Sequence, residues 1–140
     1  MSKPLPDIRK ETFLNVPVAK VWPKISTSEG LASWWMKNTL VPERGTKFVL
    51  KSGDFGDSQC TLLEVIPDQK ISFKWDNDWT VSFILQREGN SSTRFILIHS
   101  GWDADLKTRF GQDHERIREI MDLGWEKLIK ENLSGSLNHS

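Results

Sequence analysis

The sequence has no tyrosine, a single cysteine (Cys60) and no excess of either charge, with 19 Lys and Arg balancing 19 Asp and Glu. One thiol excludes an intrachain disulfide framework. Zero net charge and a pI near 6.8 leave no electrostatic footprint for DNA or RNA, so no nucleic-acid partner is expected. No run of about 18 apolar residues occurs, which argues against membrane insertion. The segment Met1 to Asp7 carries two prolines and lacks the apolar core of a signal peptide, so a cytoplasmic location is the expectation.

Catalytic and metal signatures are also missing. His114-Glu115 opens like a zinc-protease helix, but position 118 is Arg118 where the second histidine would stand. Cys60 has no CxxC partner. There is no phosphate-binding P-loop, dinucleotide fingerprint or nucleophile elbow. Gly53 to Gly56 spell GxxG without the basic context of a nucleic-acid clamp, and a hairpin turn explains them better. No metal and no cofactor are expected.

Tryptophan, by contrast, is abundant, with 7 in 140 residues. Its side chain is large and nearly apolar, with one N–H donor and no acceptor. Seven exceed what a core of this size usually needs. They make either a Trp-rich core or, in part, the lining of a cavity for an apolar or aromatic ligand.

Periodicity gives the elements. Ile8 to Val16 alternates as a strand and stops at Pro17. Val18, Val21, Trp22 and Ile25 have helical spacing, with Pro23 predicting a short or kinked helix. Thr27 reads as the N-cap of a second short helix bearing Leu31, Trp34 and Trp35. Strands follow at Thr46 to Lys51, Gln59 to Ile66, Lys70 to Trp75, Trp79 to Leu85 and Thr93 to His99. They are separated by turn signals at 53–57, 67–68, 76–78 and 89–91, an antiparallel meander. Ile117, Ile120, Met121, Gly124, Trp125, Leu128 and Ile129 form the apolar stripe of a long amphipathic helix from Asp113 to Asn132. Gly124 would either pack closely against a tryptophan or open room beneath that helix. The expected α+β architecture is a helix-grip fold: a curved antiparallel sheet of about six strands, two short helices, and a long C-terminal helix over the concave face. One domain spans 1–133, and 134–140 is expected to be a polar, flexible tail.

Several short motifs carry a resemblance. Val21-Trp22, Ser28-Glu29-Gly30-Leu31 and Trp34-Trp35 resemble the opening of one family. Leu63-Glu64-Val65, Pro67 and the Ile71 to Trp75 strand resemble its central hairpin. Thr93-Arg94-Phe95, His99-Ser100-Gly101-Trp102 and Gly124-Trp125 followed by Leu128 resemble its ending. Over residues 7–133 the chain resembles the family named after the C-terminal domain of the activator of the Hsp90 ATPase, in the START-like (Bet v 1-like) superfamily. The resemblance implies an apolar cavity between the concave face and the long helix. The chain lacks the extra N-terminal domain of the eukaryotic co-chaperone, so a chaperone partner is not expected.

Strand and helix phase nominate the lining. Trp75, Trp79, Phe83, Phe95 and Leu97 should face the long helix, and Ile117 and Met121 should face them from it. Trp34, Trp35, Trp102 and Phe110 lie on connections that would close the rim. Trp125 and Leu128 read as core. His99 continues the inward phase of Phe95 and Leu97. It is the one candidate acid, base or polar anchor, with Glu64, Asp103 and Arg109 as conceivable partners and a structural histidine as the alternative. His114 reads as a wet residue at the helix start. The leading expectation is binding or carriage of a small hydrophobic or aromatic molecule. An enzyme of cyclase or lyase type using His99, and a protein-interaction domain or homodimer, are the alternatives.

Overall fold

The computed structural model describes residues 3–51, 57–76, 79–108 and 111–138. The turn at 53–56, most of the turn at 76–78, Arg109 and Phe110 fall outside them.

Alternation of apolar and polar residues builds one antiparallel sheet. Its strands are β1 (Ile8–Leu14), β2 (Lys47–Lys51), β3 (Asp57–Ile66), β4 (Lys70–Trp75), β5 (Trp79–Glu88) and β6 (Ser92–Ser100), in the order β1-β6-β5-β4-β3-β2. β2 to β6 form a meander, and β1 closes on β6. In β5 the buried residues are Trp79, Val81, Phe83 and Leu85, every second position, as a half-buried strand requires. Register then gathers their partners on the same face. Trp75 lies opposite Trp79, Val81 sits between Phe73 and His99, and Phe83 sits between Ile71 and Leu97. The tryptophans and His99 therefore converge at the end of the sheet where β4 turns into β5. In β3 the pairing shifts between Leu62 and Glu64, a bulge at the outward-facing Leu63.

Two short helices, α1 (Val18–Ser26) and α2 (Ser28–Ala32), follow β1. Val18, Val21 and Ile25 put one face of α1 into the core. Pro23 lies inside α1, and the helix ends at Ser26. Thr27 joins the two helices: its hydroxyl donates to the Pro23 carbonyl at 2.8 Å and accepts the Gly30 N–H at 2.9 Å as the N-cap of α2. The approach is so close that a Cβ on Gly30 would stand 1.8 Å from the Pro23 oxygen, which is why position 30 needs glycine.

The C-terminal helical run starts as α3 (His114–Lys127), widens to a π-helix over Leu128–Leu133 and returns to α-helix in α4 (Ser134–Asn138). It spans about 37 Å at 1.5 Å per residue. Its inward residues are Ile117, Met121, Trp125, Ile129, Leu133 and Leu137, each four after the last. In an α-helix four residues turn about 400°, so such a stripe drifts by about 40° per step. The wider π turn rotates less per residue and brings Leu133 and Leu137 back over the core, where both are buried. Two expectations are corrected here. Residues 134–138 are helical and anchored by Leu137, so the fold extends past 133. The apolar stripe is also narrower than seven residues: Ile120 is 54% exposed, and Gly124 lies on the outer face with nothing within 4 Å of an added Cβ. Neither role proposed for Gly124 applies.

The long helix is fastened to the β1 edge mainly by polar contacts. Lys10 Nζ lies 3.1 Å from Asp122 and 3.0 Å from Glu126. The Arg118 guanidinium donates to the carbonyl oxygens of Pro6 and Asp7 at 2.7 and 3.3 Å. On its inner side Ile117, Trp125 and Ile129 join the buried core, with the Trp125 ring against Trp35 and Phe83.

Candidate functional site

Trp34 follows α2 and is buried. Its indole N–H donates to the Lys24 carbonyl at 2.7 Å, and its ring meets Phe83 edge-on at 5.6 Å and Phe95 at 6.2 Å. Trp35 is half-buried. Its ring lies 4.9 Å from Trp125 of α3, 5.5 Å from Trp75 and 6.0 Å from Phe83. Trp35 therefore fills the seam between the short-helix connection and the long helix. Met121, one turn before Trp125, is also half-buried and packs on the same core.

Deeper in, His99 is enclosed by indoles. Trp75 stacks at 5.6 Å with 19° between planes, Trp79 stands edge to face at 5.3 Å, and Trp102 lies at 4.7 Å. Trp125 reaches from the helix and donates its N–H to His99 Nδ1 at 2.9 Å, while Trp102 donates to the His99 carbonyl at 3.0 Å. With Nδ1 accepting, a neutral ring carries its proton on Nε2. The ring is neutral over most of the pH scale. Burial away from water lowers its pKa to about 3, helped by the positive charge of Arg118 and the neighbouring His114. A group titrating there is far from the neutral value suited to shuttling protons. Glu64 is paired with Lys70, and Asp103 accepts the N–H groups of Lys3 and Asp105, so neither is turned to His99.

Two polar atoms in this cluster are unusual. His99 Nε2 and Trp79 Nε1 are sealed from solvent and have no hydrogen-bond partner among the described residues. Native interiors seldom leave buried donors unpaired.

The nominated residues fall into three groups. Trp75, Trp79, Phe83, Phe95, Leu97, His99 and Ile117 share the buried face between sheet and helix, together with Trp34 and Trp102, which lie deep and not at a rim. Trp35 and Met121 are half-buried and pack against this core. Phe110 lies outside the described residues. His114 is a correction: it is fully buried, its Nδ1 accepts from the Asp103 N–H at 3.4 Å, and its ring lies 5.5 Å from Trp79. Its position three residues before Ile117 puts it on the inward stripe, a signal present in the sequence. Cys60 is buried, and loss of solvation pushes its thiol up to about 12, where it is unreactive. Among the described residues no three of His, Cys, Asp and Glu gather as a metal-binding group, and no helix is long and apolar enough to cross a membrane.

The family described as activator of Hsp90 ATPase homolog 1-like protein matches residues 15–138. The chain belongs to this family. Protein BH1534 of Bacillus halodurans, solved in solution, resembles this family member with 43% identity and a TM-score of 0.84, over 95% of this chain and 97% of that one. Protein MLL2253 of Mesorhizobium loti is 23% identical with a TM-score of 0.80, over 96% and 98% of the two chains. The Aha1 dimer of Colwellia psychrerythraea is 16% identical with a TM-score of 0.70, over 89% and 91%. The last two likenesses are of fold. No curated protein matches the sequence.

Proposed function

We propose that this family member binds a small apolar or aromatic molecule between the concave face of the sheet and the long helix. The observation that carries the reading is the seam at Trp35 and Met121. Both are large apolar side chains only partly covered, Trp35 where the short-helix connection meets α3 and Met121 one turn before Trp125, and the rings of Trp75, Phe83 and Trp125 lie against Trp35. Apolar walls with a few placed polar groups are the usual chemistry of small-molecule sites. The helix is held on its β1 side by ion pairs and by Arg118 hydrogen bonds to backbone carbonyls, and further along Asn132 donates to the Trp34 carbonyl at 3.3 Å, so between them the stretch at Met121 meets the core through apolar packing. Met121 is unbranched and polarizable, suited to an adaptable wall.

The test is a native mass spectrum of protein purified from its own cells beside a denaturing one, with titration of acetophenone and fluorene followed by tryptophan emission. A discrete extra mass lost on denaturation, or saturable quenching, supports the reading. Protein that carries no small molecule and whose emission neither compound moves overturns it.

A second reading, self-association, has its own observation. Ile120 and Leu123 lie on the outer face of α3, and Leu123 is 73% exposed. Sedimentation of the wild type beside Leu123→Glu tests it: a dimer lost in the variant supports it, and a monomer at every concentration overturns it.

A further inference from the structure

Resting on the second reading above, self-association, we infer that the outer face of α3 docks a second copy of this chain through the same face. The two helices run antiparallel across a twofold axis, with Leu123 of each copy seated at Gly124 of the other and Arg116 of each copy paired with Glu131 of the other.

Three observations converge. First, Arg116, Ile120, Leu123, Gly124 and Lys127 share one stripe of α3, and Glu131 continues it in the π segment; all are exposed. The middle of the stripe is apolar, with Ile120 54% and Leu123 73% exposed. Second, the stripe has relief. Leu123 stands out as a knob, and next to it an added Cβ on Gly124 would meet nothing within 4 Å, so bare backbone lies between Ile120 and Lys127. A knob beside a hollow is self-complementary between antiparallel helices, because the twofold that sets 123 against 124 also sets 124 against 123. Third, the charges agree with that register. Arg116 stands two turns before Leu123 and Glu131 two turns after Gly124, so the two come opposite each other at both ends of the contact. Glu119 then falls beside Lys127 of the other copy, and the Lys127 stem covers Ile120. Neither Arg116 nor Glu131 forms an ion pair within its own chain among the described residues. A parallel pairing would set Arg116 on Arg116, Lys127 on Lys127 and Glu131 on Glu131, repulsive at every charged step. Two helices in contact cover less than the roughly 1,200 Å² of a standard interface, so the dimer is weak and reversible.

The experiment is sedimentation equilibrium of the full chain up to millimolar concentration. It compares the wild type with Arg116→Glu, Glu131→Arg, the double variant carrying both, and Leu123→Glu, each checked for the wild-type circular dichroism spectrum. All these positions are exposed, so the fold is expected to survive. Either single charge reversal sets like charges against each other at both ends of the contact, and should weaken the dimer by about five- to thirtyfold. The double variant restores both pairs with their signs exchanged, and should return to within about threefold of the wild type. Leu123→Glu should leave a monomer. Added salt should weaken the wild-type dimer by screening the end pairs. A wild-type dimer that both reversals leave unchanged, while Leu123→Glu abolishes it, would overturn the antiparallel register and leave self-association standing. Reversals that weaken the dimer without recovery in the double variant would overturn the pairing of Arg116 with Glu131. A dimer that survives Leu123→Glu would put the interface elsewhere and overturn this inference. A wild type that stays monomeric throughout would overturn the self-association reading and this inference together.

Discussion

Trp125, on the long helix, donates its indole N–H to Nδ1 of His99, on β6, at 2.9 Å across the interior. This bond joins helix to sheet and fixes which imidazole nitrogen holds the proton. Trp125→Phe would keep a ring in place and leave a buried acceptor bare, at a cost of about 1–3 kcal/mol. Urea unfolding should record that loss. Nitrogen NMR of the imidazole should show the Nε2–H form giving way to a mixture, an effect that packing alone would not produce.

Acid should weaken the fold through the same ring. The unfolded chain takes up a proton at His99 near pH 6.5, and the folded chain resists until about 3. The unfolded state therefore binds more protons between those values, and stability falls as pH drops through that window. Above pH 6.5 the contribution is complete, and at most it is of order 5 kcal/mol. Glu126 and Glu11, held below the usual carboxylate range by hydrogen bonds to Lys130 and Lys10 and to Arg94 and Arg9, add to the loss at the acid end of the window. Urea midpoints measured from pH 7 to pH 4 should decline for the wild type, and His99→Gln should remove most of the slope between pH 6.5 and 5.

Two glycines predict opposite outcomes. At Gly124 a methyl group meets nothing within 4 Å, so Gly124→Ala should stabilise the helix by about 1 kcal/mol. At Gly30 the same methyl would collide with the Pro23 carbonyl, so Gly30→Ala should cost about 1–3 kcal/mol or more. Thermal melts of the two variants check both. A destabilising Gly124→Ala would contradict its placement on the open face.

Met121→Trp fills the seam from the helix side. It should weaken fluorene binding by about tenfold or more while the far-ultraviolet circular dichroism stays that of the wild type. Equal affinity with an intact spectrum would move the binding site elsewhere.

Sequence periodicity anticipated the sheet because β4, β5 and β6 alternate cleanly, and a two-residue period leaves one choice of inner face. The long helix was harder. Ile120 and Gly124 fit a 3.6-residue stripe on paper, yet the chain follows a four-residue spacing that becomes straight only once the helix widens at Leu128, and no local residue preference announces a π turn. His114 reads as wet because it stands at the start of the helix; its burial comes from ring contacts with Trp79 and Trp102, which belong to other elements. The pairing of His99 with Trp125 was equally hidden, because phase shows that both point inward and says nothing of which nitrogen meets which. The seam at Trp35 depends on how far a connection swings over the sheet, which residue spacing does not encode.

The wide turn at Leu128–Leu133 has a consequence for how this chain can change in length. A π turn is what an α-helix becomes when one residue is inserted and everything downstream keeps its heading. The chain therefore carries a spare residue there. Deleting the exposed Lys130 would let the segment close into an ordinary α-helix with Leu133 and Leu137 still over the core. The same deletion within His114–Lys127 would swing every later anchor by about 100° and empty the interior of its helix.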